Sequence, residues 1–108
     1  MLVLSLAACN SGNVKVKIEN NLSESISVVS IQNETVNKTV SGNDSEQFTY
    51  KISRGGIPMS LQLQIGEEII ERDIVDYVER ASHGKVTVTV DRDADGRISI
   101  DVDSDVTF

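Results

Sequence analysis

A chain of 108 residues with a formal charge of −7 has room for one core-forming domain. It excludes a nucleic-acid partner, whose affinity would need Lys and Arg against phosphate, and it would be repelled by an anionic lipid surface. With two tyrosines, two phenylalanines, no tryptophan, one cysteine and one histidine, it offers little aromatic wall for a sugar, no internal disulfide and no multi-cysteine zinc site.

The chain starts with an apolar run, Leu2-Val3-Leu4-Ser5-Leu6, that passes into the small residues Ala7 and Ala8, reaches Cys9, and continues as the polar spacer Asn10-Ser11-Gly12-Asn13. This order resembles the signal of bacterial lipoproteins, in which a small-residue box ends at a cysteine; Leu6-Ala7-Ala8-Cys9 matches all four positions. The resemblance covers nine residues and implies a processing route rather than a fold. It implies cleavage before Cys9, a thioether-linked diacylglycerol on the Cys9 sulfur, and a further palmitate-type acyl chain on the new amino group. More than one chain makes such anchoring stable, because each buried methylene contributes about 0.8 kcal/mol. Since signals of this kind open with Lys or Arg and carry a longer apolar region, the true start is expected upstream of Met1. Residues 1–8 are then signal, 9–13 a lipidated cysteine and its tether, and 14–108 a single domain.

Val14, Val16 and Ile18 alternate with Lys15, Lys17 and Glu19, the period of a strand with one face buried, and Asn20-Asn21 closes it with a turn. Ile26 and Val28 keep that period while Val29 and Ile31 shift it by one, which predicts a second strand with a bulge or with both faces buried. Thr35 to Val40 is sparsely apolar and reads as an edge strand before the turn Ser41-Gly42-Asn43-Asp44. Gln47 to Ser53 sets Phe48, Tyr50 and Ile52 on one face, and Met59, Leu61, Leu63 and Ile65 repeat the pattern before a Gly66-Glu67 hairpin turn.

Glu68 to Ala81 supports two structures. Ile70, Ile74, Tyr77, Val78 and Ala81 fall at helical spacing, yet the segment is rich in β-branched residues and follows a hairpin turn. The expectation is a short strand, Glu68 to Arg72, then a loop or one helical turn around Asp76 to Arg80. A helix over 68–81, and with it an α+β fold, is the alternative. Val86, Val88 and Val90, then Ile98, Ile100 and Val102, predict a final hairpin in which a loop of Ala94, Asp95 and Gly96 sets Val90 opposite Ile100. Short strands divided by turn signals point to an all-β, antiparallel β-sandwich of about seven strands, immunoglobulin-like or transthyretin-like in layout.

The final hairpin also carries the candidate chemistry. Asp91, Asp93, Asp95 and Gly96 spell D-x-D-x-D-G, the opening of a calcium loop, but position twelve is Val102 and the flanks are strands. The expected reading is a plain hairpin with solvated aspartates; a Ca²⁺ site on Asp91, Asp93 and Asp95 is the alternative. Six of the seventeen acids lie between Asp91 and Asp105 against two arginines, so the negative charge is concentrated near this hairpin. His83, in Ser82-His83-Gly84, has no frame for a catalytic triad, and the asparagines of four N-x-Ser/Thr sequons (Asn21, Asn33, Asn37 and Asn43) read as polar turn surface. The functional expectation is a lipid-anchored cell-envelope protein, held to the membrane through Cys9, that binds a protein or other ligand, or serves structurally, without catalysis. A calcium-dependent binding module is the alternative.

Overall fold

The computed structural model describes residues 12–107. Eight strands, β1 (Asn13–Asn20), β2 (Ile26–Ile31), β3 (Glu34–Val40), β4 (Asp44–Lys51), β5 (Ile57–Ile65), β6 (Glu68–Val78), β7 (His83–Arg92) and β8 (Ile98–Thr107), follow one another with no helix among the described residues. They form two four-stranded sheets, ordered β4-β1-β7-β8 and β3-β2-β5-β6. The expected all-β sandwich is present, with eight strands in place of about seven.

One pairing departs from the antiparallel expectation. β1 and β7 run parallel, with Val16 beside Val86 and Ile18 beside Val88. Parity explains it: the chain reverses direction at every connection, so all odd-numbered strands point the same way, and two odd strands placed side by side must be parallel. The same parity divides the connections between two ends. Those at 21–25, 41–43, 66–67 and 93–97 lie at a distal pole, and those at 32–33, 52–56 and 79–82 lie at a basal pole with both ends of the described chain.

Period-two patterning places the core. Val14, Val16 and Ile18 of β1 and Val86, Val88 and Val90 of β7 face Ile26, Val28, Leu61 and Leu63 of the other sheet, all essentially inaccessible to water. Each such aliphatic side chain contributes about 1.5–3 kcal/mol by leaving water. Aliphatic residues supply nearly all of this interior; of the aromatics, Tyr50 is buried and Phe48 packs partly against the cluster.

Two segments show how irregular pairing disguises a strand. β2 slips register against both neighbours between Val28 and Ser30, the bulge that the shifted period predicts. β6 is a correction to the expected short strand and helical turn, and to the alternative helix over 68–81: it is one eleven-residue strand. Its register against β5 breaks twice, between Ile57 and Met59 and between Met59 and Ser60. Each extra residue resets which face is inward, so Ile70, Ile74, Val75 and Val78 all turn to the core at intervals that imitate a helix.

Candidate functional site

The residues singled out for chemistry divide between the two poles. At the distal pole the β7–β8 turn is built from the loop expected, Ala94-Asp95-Gly96. The Gly96 amide donates to the Asp93 carbonyl at 3.0 Å and the Asp93 amide to the Arg97 carbonyl at 2.8 Å, with Gly96 at φ 81°. That left-handed backbone is why glycine stands there. The register beyond it is unbroken, with Val90 opposite Ile100 and Val88 opposite Val102.

The three aspartates of the candidate calcium loop are not gathered. The Asp93 carboxylate folds back on its own turn, where Oδ1 accepts the amides of Asp95 at 2.9 Å and Arg97 at 3.0 Å. Asp91 Oδ2 instead accepts from Asn21 Nδ2 across the gap to the β1–β2 loop, at 3.2 Å, and Asp95 is exposed at the tip. Among the described residues no three His, Cys, Asp or Glu side chains stand where they could hold a metal ion. The physical reason is local: a carboxylate satisfying two turn amides is aimed inward at the backbone, and strands separate residues that an interhelical loop would wrap around one point.

Around this turn lies a polar surface. Arg92 bonds Glu24 at 2.6 Å and the Gly96 carbonyl at 2.8 Å, so it ties the turn to the β1–β2 loop. Beside it an open cleft of about 280 Å³ is lined by Glu19, Asn20, Asn21, Asn43, Asp44 and Ser45. Lys17 and the Thr89 hydroxyl hydrogen-bond Glu19 and hold its carboxyl below the usual carboxylate range. The pole as a whole is acidic: Glu24, Asp44, Glu67, Asp91, Asp93 and Asp95 stand against Arg92 and Arg97.

No protein-family model matches the chain, and no curated protein matches it. Among solved structures it is similar to the N-terminal domain of AlgF from P. aeruginosa, at 17% identity and a TM-score of 0.46, over 86% of this chain and 95% of that one.

The basal pole holds the remaining candidates. His83 begins β7, is exposed, and meets the Thr107 hydroxyl through Nε2 at 3.1 Å. Ser82 is fully buried and its hydroxyl accepts the Glu79 amide at 2.8 Å, so it shapes the β6–β7 connection. Cys9, the candidate lipidation site, lies outside the described residues, as do the signal residues 1–8. Of the expected tether, Gly12 and Asn13 are already in the fold: Gly12 donates to the Arg80 carbonyl at 2.6 Å and accepts from the Ile52 amide at 3.0 Å, and Asn13 pairs with Lys51.

Three of the four sequon asparagines explain themselves conformationally. Asn33, Asn37 and Asn43 adopt φ of 62°, 54° and 57°, the left-handed region that asparagine tolerates best after glycine.

Two buried polar residues were not singled out by their sequence. Asn20 is 1% exposed; its Nδ2 donates to the carbonyls of Glu24, Val40 and Ser41, and its Oδ1 accepts the Leu22 amide. Gln32, in the two-residue β2–β3 turn, donates to the Arg54 carbonyl and accepts the Tyr50 hydroxyl at 2.9 Å. Burial raises the pKa of the Tyr50 hydroxyl above its ordinary value. One signal was available for Asn20: it occupies the next inward position after Val14, Val16 and Ile18, where a polar side chain must find buried partners.

Proposed function

We propose that the protein is a lipid-anchored, non-catalytic module of the bacterial cell envelope that presents its distal pole to a protein or other ligand. One observation carries the reading. The described chain enters the sandwich at the basal pole, where Gly12 is held by Arg80 and Ile52, and Gly12 is three positions after Cys9. At about 3.5 Å per residue, an anchor on Cys9 would keep that pole within roughly 10 Å of the bilayer. The acidic pole then points away from the membrane, and repulsion from anionic headgroups favours the same orientation.

The non-catalytic part rests on His83, which stands at the basal strand pair with Thr107 while the adjoining serine is turned into its own loop. Metabolic labelling with a fatty acid in a bacterial host, using the gene extended upstream and a Cys9→Ser control, tests the anchor. Label on the wild type and none on the control is the expected result. Label that persists in the control ends the reading.

A further inference from the structure

Each sheet of an open sandwich ends in two strands with unpaired backbone, and such edges recruit other strands unless something blunts them. Three of the four edges here carry a recognised device. β3 has Asn37 at positive φ and a broken register. β6 is bulged twice and sets Arg72 opposite the inward Leu61, so a charge points to the core side. β4 sets Glu46 opposite the inward Ile18, with the same effect.

β8 has none of these. It pairs with β7 over ten consecutive residues without a break, and its inward row is Ile98, Ile100, Val102, Ser104 and Val106, with no charge. That row is only partly covered: Ile98, Ile100 and Val106 pack against the core but are not buried, and Val102 is 39% exposed. The outward row is Asp101, Asp103 and Asp105, standing beside Thr89, Thr87 and Lys85. Among the described residues none of the three makes an ion pair within 4.0 Å or a side-chain hydrogen bond.

We infer that β8 is a docking edge that takes up an extended strand of a second protein, one that alternates cationic with apolar side chains. The backbone supplies ladder hydrogen bonds, the apolar side chains finish covering the inward row, and Lys or Arg on the other face meet the aspartates. The charges select among occupants. A second copy of this chain paired edge to edge would set its three aspartates on the same face as the first three, and like charges side by side on a sheet oppose pairing. A cationic strand turns the same ladder into attraction, which sets both encounter rate and register. This inference stands whether or not Cys9 carries lipid.

The probe is a capped nonapeptide of alternating lysine and valine, added to the full chain and followed by amide hydrogen exchange and by titration. The controls are a peptide of the same composition with its lysines in one block, and one with glutamate for lysine. The expected result is slowed exchange confined to Ile98–Thr107, with affinity at least about tenfold above the block peptide and no binding of the glutamate peptide. The combined Asp101→Asn, Asp103→Asn, Asp105→Asn variant should lose about tenfold in affinity while keeping its circular dichroism. Val102→Lys, which charges the apolar row and leaves the aspartates in place, should lose binding too. Equal binding of the block peptide, protection elsewhere than β8, or a wild-type chain that sediments as a dimer with β8 protected would overturn it.

Discussion

The two flanks of the sandwich are closed in different ways. On the β3/β4 flank, polar side chains stitch sheet to sheet: Asn20 of β1 holds the carbonyls of Val40 and Ser41, and Tyr50 of β4 reaches Gln32 in the β2–β3 turn. On the β6/β8 flank, the half-covered side chains Ile98, Ile100 and Val106 lie against the core, and Val102 remains open to water. Directional bonds at buried sites fix one geometry and are costly to break, whereas a partly covered apolar row has surface left to lose to water or to a partner. The first flank is therefore the more rigid, and the second the place where another chain can add.

Substitutions can break this comparison at either flank. The largest effect is expected at Gly84, where β7 meets β8 at the base. Its φ is 145° and an added Cβ would lie 2.1 Å from the Asp105 carbonyl oxygen, so Gly84→Ala should cost about 3 kcal/mol in urea unfolding. Gly66, in the β5–β6 turn, has open space around it, and Gly66→Ala should cost about 1 kcal/mol, the conformational penalty alone. Asn20→Ala on the stitched flank would strip three carbonyls and one amide of their partner at a buried site, an expected loss of about 2–3 kcal/mol.

Tyr50→Phe removes the hydroxyl that meets Gln32, the Ile31 carbonyl and Ser53, and should cost about 1 kcal/mol near neutral pH. Because burial raises its pKa, the folded state holds the phenolic proton more tightly than the unfolded chain. The contribution is complete below the unfolded value of 10.0 and fades as pH rises through the folded one. Unfolding curves of wild type and Tyr50→Phe should therefore converge above pH 10. The smallest effect belongs to the open flank, where Val102→Thr should stay within about 0.5 kcal/mol of wild type. At the distal turn, melts in millimolar calcium and in chelator should superimpose, since Asp93 is engaged by its own backbone.

Regular pairing made the β7–β8 hairpin legible. Its turn, its glycine and the facing of Val90 and Ile100 all follow from local rules, because a one-to-one register preserves the period of two. β6 was not legible for the converse reason: its first bulge brings Val75 inward beside Ile74 and its second returns Val78 to the original phase, so the buried set Ile70, Ile74, Val75 and Val78 takes a spacing that suits a helix. The aspartate motif left two readings open, a plain hairpin and a Ca²⁺ site, for a third reason. D-x-D-x-D-G specifies oxygen atoms at a spacing, but whether they converge depends on the backbone beneath them, and a hairpin spends Asp93 on its own amides.

What the sequence determined by itself was the strands outside β6, the inward faces of β1, β5 and β7, the last turn, and the concentration of negative charge around it, because each rests on side-chain alternation or on residues within a few positions of one another. What only the tertiary structure decided was which strands are neighbours. That choice made β1 and β7 parallel, gathered both ends of the described chain at one pole, buried Asn20 and Gln32 as ties between sheets, and left β8 as the one regular edge among the described strands without a bulge or an inward charge. Pairing between distant strands is selected by how all the apolar faces pack at once, so no single stretch of the chain encodes it.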